Sequence, residues 1–203
     1  MTAVIRDIDV TGNLHGGGFI ECHSGVRFDI LSPKDDDIVV ADIAFALSKQ
    51  CRYAGHTKKF YSVAEHCCHV HDLIERAFGM FMDSGVSKQK LAWAGLMHDA
   101  SEAYLVDLPR PLKPLVTNYH QLETTIMDAI RQKFGIADSD AIHKAIKLAD
   151  NLVLRAEAEV LMPSKGEGWG WTPDIVLLDS IKIECWSPDQ AADEFLERLC
   201  QYI

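Results

Sequence analysis

Two histidines and two aspartates carry side chains of the types that bind transition-metal ions, and all four stand in apolar segments. His98 and Asp99 are adjacent in LMHDASEAYL, His66 follows YSVAE, and Asp150 interrupts AIKLADNLVL. Burying an imidazole or a carboxylate costs several kcal/mol unless the group is paired or bound to a metal. Imidazole and carboxylate together suit Zn, Mn, Fe, Co or Ni. These residues are therefore candidate ligands of one divalent transition-metal ion.

Glu102 follows the His98–Asp99 pair at helical spacing, four residues after His98 and three after Asp99. Residues at these separations are neighbours on one helix face, so three ionisable groups converge within about one turn. Adjacent helix residues point about 100° apart, and His98 and Asp99 can both reach an ion between them. The pair can also be a buried hydrogen-bonded pair without a metal. Asp150 can be a partly exposed helix residue.

The composition predicts one well-packed domain, since 48% of the 203 residues are hydrophobic. A formal net charge of −10 disfavours non-specific binding to polymeric nucleic acid or to an anionic membrane, because both are polyanions. No signal segment or membrane-spanning run is recognisable. The six cysteines contain no C-x-x-C pair, which favours a reduced, cytoplasmic protein.

The elements that hold these residues are predicted to be helices. Ser62 with Glu65, and Ser187 with Gln190, have the spacing of a capping box at a helix start. Gly135 is a helix stop. The predicted helices cover residues 42–51, 62–81, 87–108, 118–135, 140–161 and from 187 onward.

The predicted fold class is all-α with a small N-terminal β hairpin, placed in residues 14–30. We divide the chain into an N-terminal extension (residues 1–38), a helical core (residues 39–163), and a loop with a C-terminal helix that packs on the core (residues 164–203). The segment GEGWGW, residues 166–171, is interpreted as a plain loop in preference to a lid or an oligomer contact.

The order of His66, the His98–Asp99 pair and Asp150 resembles the H…HD…D pattern of the HD-domain metal-dependent phosphohydrolases. The sequence is most similar to the branch with bacterial 5′-deoxynucleotidases and small phage-type deoxynucleoside triphosphohydrolases. This narrower resemblance rests on Arg52 with GHT (residues 55–57), on YSVAEH (residues 61–66) and on HDASEAYLVDLPRPLK (residues 98–113). It covers roughly residues 42–157.

The resemblance implies an HD-domain helical bundle around one divalent ion. The implied ligands are His66, His98, Asp99 and Asp150. Glu102 would orient or deprotonate the attacking water, and Asp107 would assist proton transfer. Arg52 would grip phosphate with its fork of donors. Lys113 would hold further phosphate charge, and His56 would border the nucleotide pocket.

Without the resemblance, three of these residues can also be interpreted as having no role in a site. Arg52 can be a surface cation, Asp107 can be a turn residue at a helix end, and Lys113 can be a solvated residue between prolines.

The expected function is hydrolysis of deoxynucleotides by a metal-dependent phosphohydrolase that removes the 5′-phosphate of deoxynucleoside monophosphates. One alternative is a deoxynucleoside triphosphate triphosphohydrolase, which Lys113 would favour. Another is a catalytically silent, nucleotide-binding regulatory protein, against which Glu102 and Asp107 argue. The expected partner is a small-molecule nucleotide, without polymeric nucleic acid or membrane. The family's members form dimers or larger rings, so a homo-oligomer is expected.

Overall fold

The computed structural model describes residues 18–171 and 181–203, and these are mostly helical. The predicted all-α class with an N-terminal hairpin is confirmed. Residues 1–17 of the predicted extension lie outside the described residues. The strands are β1 (Phe19–Glu21) and β2 (Arg27–Asp29). The helices are α1 (Val40–Lys49), α2 (Val63–Arg76), α3 (Lys88–Leu96), α4 (Glu102–Leu105), α5 (Tyr119–Phe134), α6 (Asp140–Leu161) and α7 (Pro188–Leu199), with 3₁₀ turns at Asp35–Asp37, Arg52–Gly55, Phe78–Ser84 and Lys113–Leu115.

The hairpin pairs β1 with β2 in antiparallel register, and its turn is fastened to α1. The backbone N–H and the hydroxyl of Ser24 both donate to the carboxylate of Asp42, each at 2.7 Å. Phe28, at the centre of β2, is fully buried and stacks on Tyr104 of α4. The hairpin therefore covers one side of the helical core.

Helix α2 lies in the middle of the molecule and contacts α1, α3, α6 and α7. Every residue from 63 to 70 is buried, including the polar side chains of Glu65, His66 and His69. A buried polar group must find a hydrogen-bond partner inside the protein or lose its hydration without compensation. The partners of Glu65 and His66 come from distant parts of the chain.

Ser62 caps α2 as predicted, since its hydroxyl accepts from the N–H of Glu65 at 3.1 Å. The predicted capping box is wrong in its other bond, in which the Glu65 carboxylate would accept from the backbone N–H of Ser62. Glu65 accepts instead from the backbone N–H groups of Glu184, Cys185 and Trp186, at 3.0, 2.8 and 2.7 Å. Three backbone donors satisfy a fully buried carboxylate better than one, and they fasten the segment before α7 to α2.

The predicted continuous helix over residues 87–108 is also wrong, because it is interrupted between α3 and α4. Helix α3 ends at Leu96, and residues 97–101 form turns before α4 begins at Glu102. The carbonyl of Gly95, which would accept from the N–H of Asp99 in a continuous α-helix, accepts instead from Nδ1 of His98 at 2.8 Å. His98 and Asp99 therefore stand in a turn rather than on a helix face.

The remaining helices follow their sequence signals closely. α5 ends before Gly135, which has a φ of 60°, and α6 covers the predicted residues 140–161. α2 is shorter than predicted and gives way to the 3₁₀ turn at Phe78–Ser84. Among the helices in the described ranges, none combines the length and apolar character needed to cross a lipid bilayer.

Candidate metal centre

His66, His98 and Asp150 form a buried group that can hold a metal ion, although they come from three separate segments. His66 lies in the first turn of α2, His98 in the turn after α3, and Asp150 in the middle of α6. Nε2 of His66 is 3.3 Å from Nε2 of His98 and 3.3 Å from Oδ1 of Asp150. Packing of α2 against α3 and α6 brings the three together.

Asp99 places a further carboxylate oxygen beside the two histidines. Its Oδ2 is 3.2 Å from Nε2 of His98 and 3.8 Å from Nε2 of His66. Burial favours the neutral acid, but the neighbouring His98, His66 and Arg52 outweigh burial and lower the pKa of Asp99 below its usual range. Asp99 is therefore a carboxylate at neutral pH, which is the form that binds cations.

The spacing of the ligand atoms of His66, His98 and Asp150 fits a single transition-metal ion. Nitrogen and oxygen ligands lie about 2.0–2.2 Å from zinc, so neighbouring ligand atoms lie about 3–3.5 Å apart in tetrahedral or octahedral arrangements. Nε2 of His66 lies 3.3 Å from both the His98 and the Asp150 ligand atom, and Oδ2 of Asp99 lies 3.2 Å from Nε2 of His98. Two ring nitrogens and two carboxylate oxygens also suit several first-row metals, so the donor set does not select one ion.

Glu157 sets the orientation and tautomer of His66. Its carboxylate is fully buried and accepts from Nδ1 of His66 at 2.5 Å, from the hydroxyl of Tyr61 at 3.0 Å, from Nε of Arg52 at 3.3 Å and from the hydroxyl of Tyr53. Burial favours the protonated acid, but Arg52 and His66 outweigh it and lower the pKa of Glu157 to about 2. An ionised carboxylate only accepts, so Nδ1 of His66 carries the proton.

His98 is oriented in the same way, because Nδ1 can only donate to the carbonyl of Gly95. In the neutral form of each ring, Nε2 therefore presents a lone pair, and the two lone pairs face each other across 3.3 Å. Either a metal ion or a proton on one ring removes this repulsion. Histidine ligands in metal sites commonly donate their other N–H to a carboxylate or a backbone carbonyl, as both do here.

A proton is the competitor of a metal ion at this position. Burial and the charge of Arg52 oppose protonation of His66, but Glu157 and Asp150 outweigh them and raise the pKa of His66 to about 9. In the ion-free protein His66 is therefore an imidazolium at neutral pH, and its Nε2–H faces Oδ1 of Asp150.

Cys67, His98 and Asp99 also lie close enough to share an ion. Burial, Asp99 and the neighbouring Cys68 raise the pKa of the Cys67 thiol well above its usual range. A thiol binds metals as the thiolate, so Cys67 is a poorer donor than the two aspartates. The segment CCHVH, residues 67–71, therefore packs around the centre and does not supply its main ligands.

Arg52 is positioned by a closed loop that begins and ends beside α2. Cys51 and Ser62 form an antiparallel bridge, and the N–H of Arg52 donates to the carbonyl of Tyr61 at 2.9 Å. Tyr53 and Ala54 within this loop have φ values of 58° and 51°. Residues other than glycine rarely adopt this left-handed backbone conformation. The loop directs Arg52 towards Glu157, and NH1 of Arg52 lies 3.6 Å from Oδ2 of Asp99.

Glu102 and Asp107 face the same cavity as Arg52 and Asp99. Glu102 is 2% exposed, and its Oε2 has no hydrogen-bond partner within the described part of the chain. Burial and the charges of Asp99 and Asp107 raise the pKa of Glu102 to about 9, against the opposing effect of Lys113. Burial also raises the pKa of Asp107, although Arg52 opposes it.

Gln50 fixes the positions of Glu102 and Asp107 relative to each other by bonding to the backbone of both. Its side-chain N–H donates to the carbonyl of Glu102 at 2.9 Å, and its side-chain oxygen accepts from the N–H of Asp107 at 3.0 Å. Val106 between them has a φ of 67°, and its carbonyl accepts from the hydroxyl of Tyr119 at 2.8 Å. This strained backbone turns Asp107 into the cavity.

Lys113 is held by carboxylates rather than standing free in solvent. Its Nζ donates to Oε1 of Glu102 at 3.1 Å and to Oε1 of Glu123 at 2.8 Å. Asp150 is likewise paired through Oδ2, which accepts from Arg110 and Lys147, each at 2.8 Å. Its other oxygen, Oδ1, is left for the metal position.

One cavity of about 720 Å³ joins these groups. Its lining residues include the acids and cations just described and an aromatic side built from Tyr53, Trp169 and Trp171. The volume is in the range of small-molecule sites. His56 is exposed and is not part of this lining, so the structure does not bring it to the other predicted site residues.

Comparison with known proteins finds relatives whose similarity covers nearly the whole chain. The chain is 35% identical over 180 residues to the uncharacterized protein YfdR of Escherichia coli strain K12, a match that covers 89% of this chain and 93% of YfdR. The chain belongs to the YfdR family. A second member of similar extent is an uncharacterized protein of Rhodobacter capsulatus, 32% identical over 183 residues, with 86% of this chain and 90% of that protein covered. No protein-family model matches the sequence.

Several residues of the site in this YfdR-family chain were missed by sequence reasoning. They are Gln50, Tyr53, Arg110, Lys147, Glu157, Trp169 and Trp171. Glu157 had a detectable signal, because it follows Asp150 by seven residues and therefore lies on the same face of α6. Lys147 had a similar signal, because it precedes its partner Asp150 by three residues on α6. The others had none, since their partners are distant in sequence or their types are common in loops.

Proposed function

We propose that this chain is a metal-dependent phosphohydrolase of the HD-domain type that removes the 5′-phosphate of deoxynucleoside monophosphates. The observation that supports it most directly is the group of His66, His98 and Asp150, with the Asp99 carboxylate beside the two histidines. Asp99 and Asp150 line a cavity together with Arg52 and Glu102, an acid with an unpartnered buried oxygen. A protein that only binds a nucleotide has little use for such an acid. The proposal includes self-association, which rests on the family resemblance, and a cytoplasmic location, which rests on the cysteine pattern.

The chain's own residues supply the phosphate contacts and the proton transfers of this reaction. Arg52, held by Glu157, offers its remaining guanidinium N–H groups to the phosphate oxygens. Glu102 accepts a proton from the attacking water through its free Oε2. Asp107, whose pKa is raised by burial, donates a proton to the departing 5′ oxygen. The phosphorus–oxygen ester bond breaks, and a nucleoside and inorganic phosphate leave.

A divalent ion bound by His66, His98, Asp99 and Asp150 would acidify water and polarise a phosphoryl oxygen. Its charge also bears on Glu102, because Asp99 is one of the charges that keep Glu102 protonated. Neutralising that charge would lower the pKa of Glu102, which favours the ionised form that acts as a base.

The charge of the cavity supports a monophosphate substrate. Its lining residues within the described ranges include four cations and four acids, which balance when all are ionised and leave one net positive charge when Asp107 carries its proton. The cations are Arg52, Arg110, Lys113 and Lys147, and the acids are Asp99, Glu102, Asp107 and Asp150. A divalent ion adds two positive charges, which match the roughly two negative charges of a phosphate monoester.

Deoxynucleoside triphosphate triphosphohydrolysis is a second candidate, favoured by the room in the cavity and by the cations beyond Arg52. Arg110 and Lys147 are more than half exposed, so they can turn from Asp150 towards a longer phosphate chain. The two activities differ in their products, which makes them easy to separate.

The deciding experiment incubates the protein, loaded in turn with Mn, Co, Zn, Fe and Ni, with matched deoxy- and ribonucleoside mono- and triphosphates. Chromatography resolves the products. Nucleoside with inorganic phosphate from deoxynucleoside monophosphates is the expected result, and nucleoside with intact triphosphate would establish the second candidate. Bound metal, measured by elemental analysis, without turnover of any nucleotide would contradict both and identify a silent binding protein.

A further inference from the structure

The loop after α6 is built so that Trp171 anchors it and Trp169 does not. Nε1 of Trp171 donates to the carbonyl of Gly166 at 2.8 Å, and the guanidinium of Arg155 lies 4.9 Å from the centre of the Trp171 ring. A Cβ at Gly166 would come within 2.6 Å of Trp171, and Gly166 has a φ of 77°. Only glycine fits this position without a shift.

Trp169 stands on the anchored loop with its ring at the cavity. Its side chain is 38% exposed, and its ring centre lies 5.7 Å from that of Trp171 and 6.0 Å from that of Tyr53. Tyr53 is itself fixed, because its hydroxyl donates to the buried carboxylate of Glu157. The three rings form a continuous aromatic wall, and Trp169 is its most accessible member.

The indole of Trp169 has no part in the phosphate chemistry of the charged residues in the cavity. Arg52, Glu102 and Asp107 act through charge and proton transfer, to which an indole contributes nothing. A large aromatic surface left open to water inside a small-molecule cavity loses the free energy that burial would provide. A flat, apolar ligand group placed on it recovers that free energy, as aromatic platforms do with bases of nucleic acids.

We propose that Trp169 stacks on the nucleobase of the substrate, and that Tyr53 and Trp171 support it from the sides. The inference rests on the proposed function, because it takes the ligand to be a nucleotide. Every base has a π-face, so stacking holds purines and pyrimidines without reading their edges. The subsite therefore contributes affinity for a nucleotide over a bare sugar phosphate, with little discrimination between bases.

The test compares a nucleotide with the same molecule lacking its base. Binding of deoxyadenosine monophosphate and of 2-deoxyribose 5-phosphate is measured by calorimetry on the metal-loaded protein, in a Glu102→Gln background that stops turnover. We expect the nucleotide to bind about ten- to a hundredfold more tightly than the sugar phosphate. Trp169→Ala should abolish most of this difference and leave sugar phosphate binding unchanged, while Trp169→Phe should retain much of it.

Phe19→Ala is the matched control, because Phe19 is 37% exposed but lies in the hairpin and not in the cavity lining. It should change neither affinity. Equal losses for both ligands in Trp169→Ala would show a structural role of the loop and overturn the inference, as would no loss at all. If the parent protein binds neither ligand, the proposed function fails as well, so the sugar phosphate separates the two failures.

Discussion

Glu157 accepts a hydrogen bond from Nδ1 of His66 at 2.5 Å, and this contact decides which ring nitrogen faces the metal position. The two residues are 91 positions apart in the chain and meet because α6 packs against α2. The same carboxylate holds Arg52 and Tyr53, so one buried acid aligns a ligand, a cation and one ring of the aromatic wall. Replacing it tests whether the site is organised around this acid.

Glu157→Gln is expected to weaken metal binding about ten- to a hundredfold, since the amide no longer enforces the His66 tautomer. It should also lower the free energy of unfolding by about 3–5 kcal/mol, because Arg52 loses its buried counter-charge. Competition with a chelating dye measures the first effect, and denaturant unfolding measures the second.

Glu65→Gln provides the matched control for Glu157→Gln. Glu65 is equally buried, but its hydrogen bonds come from the backbone of residues 184–186 and not from a proposed ligand. It should lower stability and leave the affinity for the ion unchanged. A parallel loss of metal affinity in both variants would mean that the effect of Glu157 is general destabilisation.

Metal affinity should rise with pH, because the ion displaces a proton from His66. Its pKa is raised to about 9 in the folded, ion-free protein, from an ordinary value of 6.5. The stability that His66 adds to the ion-free protein is therefore fully present below pH 6.5 and is lost as the pH rises through 9. Ion affinity should grow by up to roughly tenfold per pH unit across this window.

Thermal unfolding with and without the ion, at several pH values from 6 to 9.5, measures this competition. The gain in melting temperature from the ion should increase steadily over that range. A constant gain at all pH values would show that the ion binds elsewhere than at Nε2 of His66.

Glu102→Gln should reduce kcat by about 10²- to 10⁴-fold, the usual contribution of a positioned general base. The affinity for the metal should stay within a few-fold of the parent, since Glu102 is not a proposed ligand. Glu123→Gln is the paired control, because Glu123 is the other carboxylate that holds Lys113 but does not line the cavity. Equal rates for the Glu102 variant and the parent would remove Glu102 from the mechanism.

Lys113→Gln should move the acidic limb of the pH–rate profile to higher pH. Lys113 lowers the pKa of Glu102 through their contact at 3.1 Å, so its removal makes Glu102 harder to deprotonate. Lys147→Gln removes a comparable cavity cation that pairs with Asp150 instead, and it should leave that limb in place. The dependence of kcat/KM on pH, measured from pH 5 to 10 for both variants, locates the acidic limb in each. An unshifted limb in Lys113→Gln would contradict the role given to Glu102.

The sequence alone was enough to predict the helical class, most helix boundaries and the set of residues that could bind a metal. Local signals carry this information: Ser62, Ser187 and Gly135 end or begin helices through bonds to nearby backbone groups, and apolar periodicity places α5 and α6. The polar residues His66 and Asp150 were conspicuous because an apolar environment makes an unpaired polar group costly.

Only the tertiary structure decided how these residues are partnered. It replaced the predicted helix at His98 and Asp99 with a turn, gave Glu65 to the segment before α7, and tied Lys113 to Glu102. It also brought Trp169 to the cavity. In each case a side chain could bond either to a nearby group or to a group distant in sequence. Which bond forms depends on which segments pack together. A single sequence shows residue types and local spacing, but it does not contain those distances.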